Sequence, residues 1–418
     1  MISRYSLRCP GCDEAFVARI GVQPTDITRF YFPCPNCQLP IRGRMSGQEP
    51  TEHKVVIDGE IVDESDLPTD PLVVTVDPFV PSRYDADSMK MTSETAIGTF
   101  PTMTMVHLLG FEGFQAFGED GGRAHHVVTE FWPPARMLFN YYLQARWDLF
   151  ERTAKSRFDL DSIGKTAHER ATIAYQALGN VTVGIVGSSG DRGEKLIQRY
   201  GRKHLAAITK DAHLQLIRSR DAIAGELERD MFGVIEHFID NYESWAMGRL
   251  PRFAEGDAAE ELQKLVLFRD EFTLVRDLYQ QGFEMACKCL WILVAAQNTV
   301  KGADPNMFGD HPSAVPSNKQ AGTLAQFDKL PNAYKIAYAA QVPGWDSLPE
   351  LLNNQRRNTI GHATARHDLR SGRVVSDKDP GGITYLEFLS ETFGVFEALS
   401  SLMQVVRSVR VTASPDFL

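Results

Sequence analysis

The rhythm of apolar and polar positions changes near Pro133. Before it, apolar residues fall in short β-rich runs: Val55-Val56-Ile57 and Glu60-Ile61-Val62 flank Asp58-Gly59, and Val73-Val74-Thr75-Val76 follows. Asp-Gly suits a two-residue turn, so 55–62 is predicted to be a β-hairpin and 73–76 a strand. Residues 82–122, rich in Thr, Met and Gly, follow neither period and receive no assignment. After Pro133 the spacing is helical, with Leu138, Tyr142 and Leu149 on one side of 133–154. Further helices are predicted over 168–178, 194–245 (as two), 258–300 (broken once), 325–340, 347–365 and 385–411, with Gly- and Pro-rich loops at 179–193 and 301–322. Ser347, Pro349 and Glu350 have the spacing of a capping box with proline in the first turn, which predicts a helix start near Leu348.

These elements divide the chain into a cysteine-rich segment 1–45, an acidic β-containing region 46–130, a helical region 131–200 and a helical domain 201–418. The fold class expected is mainly α, with a small β-containing N-terminal part. The 418 residues suffice for two to four domains and at least one sizeable core. A net charge of -10 means that nucleic acid would have to be met by a local basic patch. The most apolar run, Leu290 to Ala296, is far shorter than the roughly 20 residues of a membrane span, and the start shows no secretory pattern. A cytoplasmic protein without membrane contact is expected.

Four of the six cysteines form two pairs, Cys9-Pro10-Gly11-Cys12 and Cys34-Pro35-Asn36-Cys37. Two intervening residues let one tight turn aim both sulfurs at one ion, and Gly11 relieves the backbone in the first turn. Two such turns supply four thiolates, a closed tetrahedral set that suits structural Zn2+. The alternative is a pair of disulfides, which a reducing compartment disfavours. The segment looks like a zinc ribbon, a module that binds nucleic acid, binds protein or braces a fold. Arg4, Arg8, Arg19, Arg29, Arg42 and Arg44 surround it, against Asp13, Glu14 and Asp26. Cys287 and Cys289 lie two apart on a predicted helix and point to nearly opposite sides, as core residues do.

The second informative stretch is Arg356-Arg357-Asn358-Thr359-Ile360-Gly361-His362. Asn354, Asn358 and His362 recur every four residues and would share one helix face flanked by Arg357. A histidine can shuttle protons near neutral pH, and an arginine grips phosphate oxygens through two donors. No magnesium-binding acidic cluster is evident nearby, so the set suits attack by an RNA 2'-hydroxyl on its own phosphate. Arg366, His367, Arg370 and Arg373, opposed mainly by Asp368, add a basic patch suited to an RNA backbone. A solvated loop is the alternative reading of that patch.

Arg357 to His362 resembles the R-x4-6-H motif of the HEPN superfamily, in which a polar residue such as Asn358 follows the arginine. The resemblance covers about half the chain and implies a HEPN-like helical bundle at its end. It also implies a homodimer whose two motifs form one composite site, and metal-independent endoribonuclease activity of the kind found in toxin-antitoxin modules, abortive infection and anti-phage defence. Arg357, Asn358 and His362 would be the catalytic residues, with Arg356, Arg366, His367, Arg370 and Arg373 as RNA-binding candidates. Arg356 also lies within the allowed spacing of His362. Arg199 and His204 match the bare spacing without the polar residue. A regulatory protein partner would restrain such an activity, and the acidic stretch 49–87 is a candidate element for that control.

Other signals read as structural. Gly184 to Gly190 lacks the Gly-Lys-Ser/Thr ending of a phosphate-binding loop. His125-His126 has no matching ligand cluster. Phe131-Trp132-Pro133-Pro134 marks the entry to the helical region, where an aromatic ledge could also stack bases. The expectation from another class is a non-catalytic zinc-ribbon protein that binds nucleic acid or scaffolds a complex. A ribbon-bearing transcription regulator fits less well with the acidic charge.

Overall fold

The computed structural model describes residues 2–47, 52–83, 101–158, 166–187, 210–301, 303–361 and 365–412. It has an N-terminal region of small sheets and a helical body, arranged as two compact units that interleave along the chain.

The first unit comprises Met1–Gly118, Glu243–Asp277 and Asn358–Phe393. Its strands are β1 (Ile2–Arg8), β2 (Ala15–Gly21), β3 (Thr25–Pro33), β4 (Pro40–Gly47), β5 (Lys54–Ile57), β6 (Glu60–Ile61), β7 (Val73–Val76), β8 (Ser82–Arg83), β9 (Leu265–Val266), β10 (Arg366–Asp368), β11 (Arg373–Ser376) and β12 (Asp379–Thr384). The sheets run β6-β1-β2-β7, β3-β4-β5, β10-β11-β12 and β8-β9. Alternating burial builds a shared core of Leu7, Phe16, Ile20, Phe30, Phe32, Ile41, Val74, Val76 and Phe268. Gly43 faces Phe30 across β3 and β4, and a Cβ there would meet the ring at 2.4 Å, so only glycine admits it.

The expected hairpin at 55–62 does not form. β5 pairs with β4, while β6 pairs with β1, so the Asp-Gly turn hands the chain from one sheet edge to another. Strands this short are marginal as an isolated pair and gain more from existing edges. Part of the unassigned stretch is helical: α1 (Pro101–His126) bends at Gly110, whose φ is 71°. Five glycines within it obscured the helical period.

Inside this unit Arg269 and Glu271 form a buried bidentate pair at 2.7 and 3.0 Å, and Glu271 also accepts the Arg29 backbone N–H at 3.0 Å. Asp77 is buried too; its Oδ1 accepts from the Phe79 N–H at 2.8 Å, and a Cβ on Gly21 would meet its carboxyl at 2.5 Å.

The second unit comprises Glu119–Tyr242, Leu278–Arg357 and Gly394–Leu418. The main helices running in or into it are α2 (Trp132–Leu143), α3 (Trp147–Phe158), α4 (Ala167–Val186), α5 (Lys210–Asp240), α6 (Phe272–Val300), α7 (Asn332–Ala339), α8 (Asn354–Ile360) and α9 (Tyr385–Thr412). Phe139 stacks on Phe232 at 4.6 Å and meets Tyr175 edge-on at 5.2 Å. Buried Glu228 accepts from the Tyr175 and Tyr142 hydroxyls at 2.8 and 3.2 Å. At Gly282 a Cβ would lie 2.7 Å from both Phe238 and Val395, so α5, α6 and α9 approach closely there.

Two helix limits differ from expectation. α4 continues through Gly179 and Gly184 to Val186, because those glycines pack against Gln404 and Val127. It begins with a capping box between Thr166 and Glu169. The box expected at Ser347 is absent: Ser347 is itself α-helical in backbone and caps nothing. The single helix expected over 347–365 is instead Leu348–Leu351 followed by α8, capped by Asn353 Oδ1, which accepts from the Arg356 N–H at 3.0 Å. The predicted 258–300 segment is interrupted by β9. No helix among the described residues is long and apolar enough to cross a membrane.

Candidate metal centre and a polar groove

The two cysteine pairs sit in equivalent knuckles. In the first, which joins β1 to β2, the Cys9 N–H donates to Glu14 O at 2.9 Å and the Asp13 N–H to Cys9 O at 3.0 Å. In the second, which joins β3 to β4, the Cys34 N–H donates to Leu39 O at 2.8 Å and the Gln38 N–H to Cys34 O at 3.0 Å. The sequence spacing thus becomes one backbone conformation used twice.

The four sulfurs lie within 4.8 Å of one another, and Cys9–Cys37 and Cys12–Cys34 are each separated by 3.7 Å. Zinc–sulfur bonds of about 2.3 Å in a tetrahedron place sulfurs about 3.8 Å apart, so the set fits such an ion. The Gly11 N–H points at Cys9 Sγ from 3.4 Å and the Asn36 amide at Cys12 Sγ from 3.5 Å, donors that favour thiolate. Burial works against ionisation at Cys12, Cys34 and Cys37. It raises Cys34 and Cys37, whereas at Cys12 the hydrogen bonds from the Glu14 backbone, Cys37, Asn36 and Cys9 outweigh it and bring the pKa down to about 7. The cluster can hold a metal ion, and its closed geometry leaves no open position for substrate.

Arg357 lies on α8. Its guanidinium pairs with Glu284 of α6, which also accepts from Asn332 Nδ2 at 2.9 Å. Both sit in the wall of an open groove of about 860 Å³ between α5 and α6. Along α5, Arg229, Gly233 and His237 follow one another every four residues, as do Gln280, Glu284 and Lys288 on α6. His237 Nδ1 lies 3.2 Å from Gln281 Oε1, and Lys288 stands 3.7 Å from Asp230. The groove therefore brings together three cations, two carboxylates, an imidazole and amides. Chemically it offers guanidinium donors for an anion and a ring that can carry a proton. Reading Arg357 with its own segment missed these helix partners, whose signal was the four-residue polar stripe on each of two long helices.

Among the other motif residues, Arg356 is half-buried and Asn358 exposed, both on α8. His362, Arg199 and His204 lie outside the described residues. The 366–373 stretch is folded into β10 and β11 rather than left as a loop. Arg366 and Arg370 are exposed, whereas Arg373 donates to the Gly381 and Gly382 carbonyls at 2.7 and 2.8 Å. The His367 ring nitrogens are sealed from solvent; the ring stacks on Tyr385 at 4.6 Å and meets Tyr31 edge-on at 5.5 Å. Burial pushes its pKa down to about 4 against the pull of Asp368, so the ring stands neutral in the core rather than at a surface. Cys287 and Cys289 are buried on α6, with burial raising both thiols.

No family model, curated protein or solved structure matches the chain.

Proposed function

We propose that the chain is a metal-independent endoribonuclease of HEPN type whose ribbon holds a structural zinc ion. The observation that carries this reading is the position of Arg357, which follows a capped helix start, precedes Asn358 and opens onto a polar groove furnished with further cations and a histidine. Two protomers would join their motifs in one site. His362 takes the proton from the RNA 2'-hydroxyl, whose oxygen bonds to the adjacent phosphorus. As the bond from phosphorus to the 5'-oxygen breaks, that oxygen receives a proton from the partner protomer's motif. Arg357 neutralises the phosphorane, and Asn358 orients the other two. The products are a 2',3'-cyclic phosphate and a 5'-hydroxyl. Such an activity fits a defence or toxin role under control of a protein partner. The zinc ion, held by Cys9, Cys12, Cys34 and Cys37, supplies rigidity.

The test is RNA cleavage by the purified protein with EDTA present, comparing wild type with His362→Ala and Arg357→Ala. The reading expects cleavage by the wild type alone, leaving cyclic phosphate ends. Equal behaviour of all three proteins would defeat it.

One observation favours a second reading. Glu284 neutralises Arg357, as it would in a helix-packing contact. In that case the chain is a non-catalytic zinc-ribbon protein that binds nucleic acid or scaffolds a complex, and no variant changes any RNA end.

A further inference from the structure

The β3–β4–β5 sheet carries a charge arrangement that its own stability disfavours. Arg29 and Arg44 stand directly opposite each other in the antiparallel register, and both are exposed. Facing like charges cost a sheet free energy, where an opposite charge would contribute it. Because side chains alternate, Arg42 shares the Arg44 side of β4, and Lys54, opposite Ser46, shares it on β5. Asp270 holds Arg42 at 2.9 Å. Among the described residues, neither Arg29 nor Arg44 has an acidic group within ion-pair distance. The opposite face of the same strands is core: Thr28, Phe30, Phe32, Ile41 and Met45 are buried. The sheet is thus anchored on one side; on the other, Tyr31 is buried against Phe268 and His367, and beyond it Arg29 and Arg44 stand exposed, in a chain whose net charge is -10.

We propose that this face, centred on Arg29 and Arg44, binds the phosphodiester backbone of single-stranded RNA. Paired guanidiniums at fixed spacing match a polyanion, and on an acidic molecule they set where that polyanion lands. The choice of RNA rests on the ribonuclease reading, while the phosphate chemistry rests on the register alone. The ribbon then captures substrate, a role separate from that of Arg357 and His362.

Binding is measured by fluorescence anisotropy on the full chain with a 2'-O-methyl oligouridylate. That probe has no free 2'-hydroxyl, so binding is read without cleavage and independently of the nuclease reading. Against log salt, the log affinity of wild type falls linearly, and Arg29→Ala/Arg44→Ala reduces that slope by about 1.4, two phosphates at roughly 0.7 each on a single strand. At low salt the affinity drops at least tenfold. Arg44→Glu gives the sharper contrast: it weakens binding further yet raises the thermal midpoint, because a like-charge pair becomes an opposite one. Unchanged slope and affinity in the double variant would overturn the proposal. So would an Arg44→Glu protein that loses binding and thermal stability together, which would make the arginines structural. Equal affinity for the matching DNA oligonucleotide would overturn the assignment to RNA.

Discussion

Asp13 and Gln38 occupy the same place in the two cysteine knuckles: each directly follows the second cysteine of its pair, and each is left-handed, with φ of 62° and 65°. An L-residue there costs about 1–2 kcal/mol relative to glycine. Asp13 is highly exposed and its contact with Arg8 is long, at 3.9 Å, so little offsets that cost. Asp13→Gly is therefore expected to raise the thermal midpoint of the metal-loaded protein by a few degrees. Asp13→Val, which resists this conformation, is expected to lower it. A midpoint that falls for both would show that the side chain matters more than the backbone.

Metal content is the next expectation. The protein should carry one zinc per chain by elemental analysis, and Cys34→Ser should abolish it and lower stability. Each ligand must lose its proton to bind, so apparent affinity falls as pH falls. Since burial raises Cys34 and Cys37 above the ordinary thiol range, metal binding near neutrality releases protons that calorimetry in two buffers can count. Binding without proton release would contradict the thiolate assignment.

Asp77 gives a separate pH signature. Burial raises its folded-state pKa from 3.8 to about 6. A carboxyl raised on folding favours the protonated native state. Its contribution is fully present below the unfolded value and is lost as pH rises through the folded one, here between about 4 and 6. Two pKa units correspond to about 3 kcal/mol. Asp77→Asn should flatten the stability profile across that window and stabilise the protein at pH 7. An unaltered profile in chemical denaturation would exclude Asp77 as its source.

Arg357 and Glu284 separate the two functional readings. If the pair is packing, Arg357→Ala and Glu284→Ala lower the midpoint to similar extents, and the double variant adds little to either. If Arg357 serves cleavage, Arg357→Ala removes activity with little thermal change, and Glu284→Ala retains activity. Loss of activity in strict proportion to loss of folded protein would remove the catalytic assignment.

The cysteine cluster was legible because ligand spacing is local: two residues between thiols specify a knuckle whatever surrounds it. The strand 73–76 was legible from its β-branched run. The hairpin at Asp58-Gly59 was misjudged because local turn chemistry could not reveal that two other sheets offered open edges. α4 was cut short at Gly179, where the decisive neighbour, Gln404, lies far away in the chain. The capping pattern at Ser347 lost to Asn353, which caps a different start only six residues later. His367 read as a surface cation within a basic run, yet three aromatic rings from separate segments enclose it. In each case the missing information was a distant partner. The groove was hidden for the same reason, since its walls come from α5 and α6 and each stripe is unremarkable alone.

The interleaving of the two units has a consequence for synthesis. The core beneath the cysteine-rich strands is completed by Val266, Phe268 and Leu369, and the first unit extends to Phe393. At roughly 5–20 residues per second, a ribosome needs on the order of half a minute to pass from β4 to that point. During that interval the emerging strands lack their full cover. An ion captured by Cys9, Cys12, Cys34 and Cys37 would hold them in register until the later segments arrive, so scarcity of zinc during translation should cost yield of folded chain even where the finished protein keeps its metal.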